Sequence, residues 1–159
     1  MKTAIYPGSF DPITNGHLDI LRRALKVFDK ITILVAVNPA KGSRFTASER
    51  VEMIKEATSD LPNVSVEAYD GLTLNYAKSI NATHLIRGLR AVSDFEFEFQ
   101  IAAANEYINN EIDCVFFMSH QELNFISSST IDELKRNKVD ISALVPQSVL
   151  AMYKRKYNI

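Results

Sequence analysis

Short β-rich runs alternate with longer segments of helical character along the whole chain of 159 residues. The predicted strands are Lys2–Tyr6, Ile31–Val37, Val64–Tyr69, Thr83–Arg87 and Cys114–Ser119. The predicted helices are Gly16–Phe28, Ser48–Asp60, Leu72–Asn81, Asp94–Asn110, Thr130–Asn137 and Gln147–Tyr157. Strands that alternate with helices are typical of an α/β fold with a parallel sheet. We therefore predict a five-stranded parallel sheet with helices on both faces, within a single domain over residues 1–159.

Capping-box spacing marks the start of two predicted helices. Thr46–Glu49 and Ser93–Glu96 both place a hydroxyl three residues before a glutamate. The run Phe95–Phe99 alternates apolar and acidic residues like a strand. We predict a helix there, because a cap precedes it and the alanine-rich segment Gln100–Ala104 follows it.

A net charge of −1 gives no general attraction to nucleic acid or to a membrane surface. Any anion site must therefore be a local cluster of basic side chains. Cys114 is the only cysteine, so no intrachain disulfide can form and a reducing compartment is expected. No long apolar stretch precedes Pro7, and no apolar run approaches the ~18 residues that span a bilayer. We expect a cytoplasmic protein with no nucleic-acid or membrane partner.

Glycines, cations and hydroxyls follow the predicted strands at one edge of the sheet. In open α/β sheets, ligands bind at the carboxyl ends of the strands, where glycine lets the backbone approach them closely. The five glycines, each just beyond a predicted strand, are Gly8, Gly16, Gly42, Gly71 and Gly88. Lys41, Arg44, Arg87, Arg90 and Ser127–Thr130 share this edge. The clustering suits a substrate with several phosphates, although glycine is also common in loops that have no function.

The segment Gly8–His17 ends a predicted strand, forms a tight loop and begins a helix. Free backbone N–H groups and the helix dipole make such a helix start an anion site. A histidine in the first turn can direct an N–H group at a phosphate oxygen, and phosphoryl transfer depends on fixed donors of this kind. Periodicity alone would favour a surface histidine.

Two later motifs also suit phosphate. Ile126–Ser129 offers hydroxyls and amides at a helix start, although an N-cap with extra serines explains it better when it is taken alone. Arg87–Arg90 presents guanidinium groups that match phosphate geometry, or that form surface ion pairs with the acidic helix start after them. With one cysteine and three scattered histidines, we predict no metal bound by the protein, and no order of residues favours a Ser-His-Asp triad.

Together, Thr14-Asn15-Gly16-His17 and Ile126-Ser127-Ser128-Ser129 resemble the paired signatures of the nucleotidyltransferase superfamily. Tyr6–Pro12 and Ile86–Glu96 resemble more specifically the bacterial phosphopantetheine adenylyltransferases, and the similarity covers about residues 2–155. The resemblance implies a Rossmann-like domain that joins ATP and 4′-phosphopantetheine into dephospho-coenzyme A and pyrophosphate. It also implies Mg²⁺ with the ATP, a role in coenzyme A biosynthesis and a homohexamer.

The same resemblance implies roles for individual residues. His17, Lys41 and Arg90 would be catalytic, and His17 would stabilise the transition state. The ATP site would comprise Ser9, Phe10, His17, Gly88, Leu89, Arg90, Glu98, Leu123, Asn124, Phe125, Ile126, Ser127, Ser128 and Ser129. Phosphopantetheine would contact Ser9, Lys41, Thr73, Arg87, Ile101 and Asn105. Phe97 stands where tyrosine is common in the family, so any role of that hydroxyl is lost.

Other functions are weighed against this one. A dinucleotide-dependent oxidoreductase should have Gly-x-Gly-x-x-Gly after its first strand, which Gly8–Pro12 does not match. A tRNA synthetase would need further domains, for which 159 residues leave no room. Two alternatives stay open: a small nucleotidyltransferase with another phosphate-bearing acceptor, and a nucleotide-binding module without turnover. Arg87–Glu96 favours phosphopantetheine over the first alternative, and intact His17, Lys41 and Arg87 favour turnover over the second.

Overall fold

A computed structural model describes residues 1–159 and contains one five-stranded sheet. The strands are β1 (Thr3–Gly8), β2 (Lys30–Ala36), β3 (Val64–Tyr69), β4 (His84–Leu89) and β5 (Asp113–Met118). The helices are α1 (Asn15–Ala24), α2 (Ala47–Ala57), α3 (Thr73–Ser79), α4 (Val92–Ile108), α5 (Ser128–Arg136) and α6 (Gln147–Tyr157), and Gln121–Leu123 forms a short 3-10 turn. Every neighbouring pair is parallel, in the order β3-β2-β1-β4-β5. The predicted α/β fold with a parallel sheet is confirmed.

Successive residues of the central strands face opposite sides of the sheet, and both sides are buried. Ala4 and Tyr6 of β1 belong to a core of 24 buried residues, whereas Ile5 between them belongs to a second core of 7. Helices α1, α2, α5 and α6 contribute buried residues to the larger core. Helix α3 contributes Leu74 and Ala77 to the smaller one. Helices therefore cover both faces, as predicted.

Helix α4 lies beside β4 and β5, and Glu98 is its one buried residue. The run Phe95–Phe99 is helical, as predicted. Phe95, Phe97 and Phe99 are 50%, 63% and 64% exposed. The Phe95 and Phe99 rings pack against each other, with centroids 5.9 Å apart, and form an exposed aromatic surface, called here the Phe95–Phe99 surface.

The start of α4 corrects one predicted cap. The helix begins at Val92 rather than Asp94, and Ser93 does not cap it. Instead, the carboxylate of Asp94 accepts hydrogen bonds from the backbone N–H groups of Arg90 and Ala91 at 2.8 and 3.2 Å. A charged acceptor at a helix start is a stronger partner for free N–H groups than a serine hydroxyl, which explains the shift.

Other predicted boundaries also moved. Strands β1 and β4 run on to Gly8 and Leu89, so Gly8 and Gly88 lie within strands and not beyond them. Helix α1 ends at Ala24, short of the predicted Phe28. The backbone N–H groups of Val27 and Phe28 both bond to the Ala24 carbonyl, and this turn places the Phe28 ring in the core. Burial of an aromatic side chain thus ended a helix that local periodicity would have extended.

Candidate active site

Three cavities lie along the carboxyl ends of the central strands. β1 and β4 are adjacent in the sheet although the chain forms β2 and β3 between them, and this reversal of strand order is where α/β proteins bind ligands. The His17 cavity measures about 330 Å³, the Asn105 cavity about 310 Å³ and the Arg50 cavity about 740 Å³. Ser9, in the loop after β1, lines all three.

His17 completes a reciprocal cap at the start of α1. Its Nδ1 accepts a hydrogen bond from the backbone N–H of Thr14 at 3.0 Å, and its own backbone N–H donates to the Thr14 hydroxyl at 3.3 Å. Because Nδ1 is an acceptor, the neutral ring carries its proton on Nε2. Burial, and then the nearby charge of Arg90, lower the pKa of His17 to about 4. At physiological pH, His17 is therefore a neutral hydrogen-bond donor on the cavity wall.

Phe10 fixes the position of the His17 ring. Its own ring is buried and packs edge to face against His17 and Tyr6, with centroids 5.0 and 5.3 Å away. The Phe10 backbone has a φ of 46°, in the left-handed region that residues with side chains rarely adopt. A Cβ atom at Gly8 would lie 3.1 Å from the Phe10 ring and would push the ring a few tenths of an ångström from its place. Backbone strain of this kind persists where the surrounding packing enforces it, as at ligand sites.

The two predicted signatures meet in the structure. The Ser127 hydroxyl accepts the backbone N–H of Thr130 at 3.1 Å, so this serine is indeed an N-cap. The Ser128 hydroxyl donates to the Pro12 carbonyl at 2.8 Å and joins the loop before α1 to the start of α5. Residues at both helix starts line the His17 cavity. Two helix starts, each with the positive end of its dipole, therefore converge on one space, as suits an anion site.

Arg87 and Arg90 each bind a carboxylate of α4. Arg87 donates from Nε and Nη2 to Glu98 at 2.8 and 2.6 Å, and Arg90 donates from Nε to Asp94 at 3.3 Å. Burial disfavours the charged form of Arg87, but the hydrogen bonds and charge of Glu98 outweigh it and raise the pKa of Arg87. Ion pairing, the alternative interpretation of this motif, is therefore present, and it holds both guanidinium groups on the wall of the His17 cavity.

Most residues predicted from the sequence line these cavities. The His17 cavity includes Ser9, Phe10, His17, Arg87, Gly88, Arg90, Glu98, Leu123, Ile126, Ser127 and Ser128. The Asn105 cavity includes Ser9, Thr73, Arg87, Glu98, Ile101 and Asn105. Lys41 and Ser129 line the Arg50 cavity instead. Leu89, Asn124 and Phe125 line none of the three, and their contacts with ATP stay predictions.

Arg50 is a buried residue of the site that sequence reasoning missed. Only 4% exposed, it donates to the carbonyl oxygens of Ser9, Ala36 and Phe45 at 2.8 to 3.1 Å. It shares helical spacing with Met53 and Ile54, which are also buried. An arginine on the apolar face of a helix was the signal available in the sequence.

Asp11 lies within the segment Gly8–His17, and the sequence predicted no role for it. Its two carboxylate oxygens accept the backbone N–H groups of Arg44 and Phe45 at 2.8 and 2.9 Å. Asp11 thereby ties the loop after β1 to the segment before α2. Nothing local in the sequence indicates this bond, because its partners lie more than thirty residues away.

Two further observations concern metals and membranes. No group of three or more His, Cys, Asp and Glu side chains is placed to hold a metal ion. None of the helices has the length and apolar character needed to cross a bilayer.

Comparison with known proteins adds independent findings. The family described as cytidylyltransferase-like matches residues 5–134. A phosphopantetheine adenylyltransferase of Lachnoclostridium phytofermentans is 48% identical over 158 residues, which cover 99% of this chain and 97% of that protein. A protein of the same name from Caldanaerobacter subterraneus subsp. tengcongensis is 45% identical over 99% of this chain and 99% of its own length. Another, from Finegoldia magna, is 45% identical over 97% of this chain and 95% of its own length. The similarity therefore extends over nearly the full length of all three relatives.

Proposed function

The chain belongs to the phosphopantetheine adenylyltransferases of the cytidylyltransferase-like family, and we propose that this site transfers the adenylyl group of ATP to 4′-phosphopantetheine by direct displacement. The products are dephospho-coenzyme A and pyrophosphate. The observation that supports the mechanism most strongly is His17, a neutral donor held at the helix start beside Ser9 and Arg90. The reaction is a step of coenzyme A biosynthesis.

Direct displacement follows from the chemistry of the groups present. The phosphate of the acceptor is already an anionic nucleophile at neutral pH and needs no activating base. One of its oxygens forms a bond to the α-phosphorus of ATP, while the bond from that phosphorus to the bridging oxygen breaks. The electron pair of the broken bond leaves with pyrophosphate. What the protein must supply is alignment and fixed donors for the developing charge, and the presence of Arg90 and the two helix starts on one cavity wall supports this role for them.

His17 is suited to donate and not to attack. The lone pair of Nδ1 accepts the Thr14 N–H, and Nε2 carries the proton. Neither ring nitrogen therefore offers a free lone pair to phosphorus, whereas Nε2–H is available to a phosphate oxygen. One fixed donor of this kind typically contributes about 10²–10³ to kcat.

The Asn105 cavity supports binding of the pantetheine arm. Leu74, Ile101 and Ala102 give it apolar walls, while Thr73 and Asn105 add polar groups. Such a mixture suits a flexible chain that contains amide bonds. Arg87 lies on the boundary with the His17 cavity, and we propose that Arg87 and Lys41 hold the phosphate of the acceptor.

Several finer features are part of the same proposal. Mg²⁺ enters with ATP, bound to its phosphates, as the substrate MgATP. The chain forms a homohexamer in the cytoplasm, and the exposed Phe95–Phe99 surface supports self-association, because contiguous aromatic surfaces usually mark contacts. Residues 1–159 act as one domain, since both cores share one sheet.

The test is pyrophosphate release from MgATP with a panel of phosphate-bearing acceptors. We expect release with 4′-phosphopantetheine and none with nicotinamide mononucleotide. The opposite pattern would reject the acceptor, and ATP binding without turnover on any acceptor would indicate a binding module. ATP made chiral at the α-phosphorus then tests the mechanism. Direct transfer inverts the configuration, and net retention would reveal a covalent intermediate and overturn the assignment of His17.

A further inference from the structure

The segment that follows β5 lies along one face of α1. Gly16, Asp19 and Arg23 are spaced at i, i+3 and i+7, so they share that face of the helix. A Cβ atom at Gly16 would lie 3.9 Å from the Leu123 carbonyl oxygen, so the backbone of the short 3-10 turn lies beside the start of α1. Further along the helix, charged side chains make the contacts with this segment.

Asp19 and Arg23 of the helix reach the chain at two points. Nη1 of Arg23 donates to the Met118 carbonyl at 2.7 Å and to Oδ2 of Asp19 at 3.2 Å. Oδ1 of Asp19 lies 3.3 Å from Nδ1 of His120. The side chains of Asp19, Arg23 and His120 are called here the Asp19 cluster. They hold the chain on both sides of Ser119, which lines the His17 cavity.

The part of the His17 cavity between α1 and this segment has apolar walls. Ile20 lines it from the helix, and Leu123 and Ile126 line it from the chain after β5. The proposed function gives the phosphates of ATP to His17, Arg90 and the two helix starts, so the apolar walls are left for the flat base. A gap of about 0.5–1 Å already forfeits roughly a quarter to a half of the energy of such contacts. Binding of the base therefore depends on the distance between these walls.

We propose that the Asp19 cluster is a positioning site, which fixes the distance between α1 and residues 118–123 and thereby the width of the space for the base of ATP. This inference rests on the proposed adenylyl transfer and adds three residues that line none of the three cavities. They act through the wall residues and touch no reacting atom.

Backbone hydrogen bonds alone do not fix this wall to the helix. The backbone N–H of Ser119 donates to the Leu89 carbonyl of β4 at 2.8 Å. The next two backbone bonds run from Leu123 to His120 and from Ile126 to Leu123, so both lie within the chain after β5. Polar contact between this wall and α1 is therefore provided by the Asp19 cluster.

The members of the cluster differ in how strongly water screens them. The side chains of Asp19 and Arg23 are 21% and 28% exposed, whereas that of His120 is 53% exposed. Asp19 also precedes Arg23 by four residues, the more favourable order for an ion pair on a helix, and so orients the guanidinium group toward Met118. Charge-assisted hydrogen bonds in a partly buried place are stronger than exposed ones. Arg23 should therefore contribute most to the position of the wall, and His120 least.

The experiment compares two neighbouring arginines of α1. Arg23→Gln removes the charged member that bonds to the Met118 carbonyl. Arg22→Gln is the matched control, because Arg22 also pairs with a carboxylate at 3.1 Å, but that carboxylate is Asp60, outside the cluster. Arg23→Lys tests rescue, since an ammonium group can still donate to the carbonyl. Asp19→Ala, alone and combined with Arg23→Gln, tests whether the two residues act together.

The readouts are kcat, the KM for MgATP, the KM for 4′-phosphopantetheine and calorimetric titration with ATP in the absence of an acceptor. We expect Arg23→Gln to raise the KM for MgATP and the Kd for ATP about 5- to 10-fold. The KM for 4′-phosphopantetheine and kcat should stay unchanged, because the cluster acts on binding of the base alone. Arg23→Lys should restore most of the affinity. The double variant should bind ATP no more weakly than Arg23→Gln, and Arg22→Gln should match the unaltered protein.

The same KM for MgATP in Arg23→Gln and Arg22→Gln would overturn the inference. So would equal rises in the KM values of both substrates, which would show a general loss of structure. If Arg23→Gln does not fold, His120→Ala at its exposed position replaces it, with an expected rise of about 2- to 4-fold, and an unchanged KM for MgATP there would overturn the inference. A protein that binds ATP but turns over no acceptor would contradict the proposed function instead, whereas the ATP titration still tests the cluster.

Discussion

Acid should lower the free energy of unfolding because the unfolded chain takes up a proton at His17 more readily than the folded protein does. An unfolded histidine has a pKa near 6.5, whereas that of folded His17 is lowered to about 4. Above about pH 6.5 the ring is neutral in both states, so His17 does not change the free energy of unfolding with pH. Between about pH 6.5 and 4 only the unfolded chain takes up the proton, and the free energy of unfolding falls. Below about pH 4 the ring is charged in both states and the loss levels off.

The two pKa values give the size of this effect. At pH 4.5 they correspond to a loss of about 2 to 3 kcal/mol in the free energy of unfolding. The ring of His17 is only partly buried, so water screens some of the difference. We therefore expect about 1–2 kcal/mol after this discount.

His17→Gln is the variant that isolates the effect. Glutamine at this third helical position can still accept the Thr14 N–H, so the reciprocal cap is retained, but it does not titrate. Denaturant unfolding of both proteins is followed by circular dichroism at pH 7.5 and 4.5, at one protein concentration. The carboxylates, His84 and His120 are common to both and cancel in the comparison. Equal acid losses in the two proteins, or a His17 imidazole signal that titrates near pH 6.5 in NMR spectra, would refute the reasoning.

Two further predictions concern stability. Gly88→Ala should lower the free energy of unfolding by about 1 kcal/mol, because the new methyl group would force the end of the Ile20 side chain to shift. Ile20→Val should restore stability in the double variant, and full stability of the single variant in denaturant unfolding would contradict this. Asp11→Asn should cost about 1–3 kcal/mol, since an amide has one oxygen for two buried backbone donors. Asp29→Asn is the control, because the Asp29 carboxylate accepts the backbone N–H of Lys2 at an exposed position. Equal losses of stability in the two variants would show that the Asp11 hydrogen bonds contribute no more than an exposed one.

The fold and most of the residues that line the His17 cavity could be predicted from the sequence, because both depend on local patterns. Strand and helix periods predicted the sheet, and the starts of α1 and α5 are indicated by their own capping residues, Thr14 and Ser127. The interpretation of Phe95–Phe99 as a helix was also correct, since the alanine-rich segment that follows outweighed its alternation.

What could not be predicted depends on contacts between distant segments. Arg44 and Asp132 are 88 positions apart, and only the folded chain places their side chains 3.0 Å from each other. Lys41 and Arg87 were both predicted to bind phosphopantetheine, and they line different cavities, because the segment after β2 turns toward α5. The predicted Ser93 cap was wrong for a related reason: spacing identifies candidate caps, but the geometry of the chain decides which side chain reaches the free N–H groups.

The loop between β1 and α1 explains why so much of the site could be found in one short motif. It is fixed at three places: Asp11 binds the segment before α2, the Pro12 carbonyl accepts Ser128 of α5, and Phe10 is buried against His17. Each attachment leads to a different element that lines a cavity. Ser9 lies where the three cavities meet, so its position relative to all of them is set by the same small loop. A displacement reaction depends on the alignment of three groups at one atom, and a loop anchored in this way can hold that alignment with few residues. Changes at any one anchor should therefore disturb binding in more than one cavity, whereas changes deep within a single cavity should disturb only its own ligand.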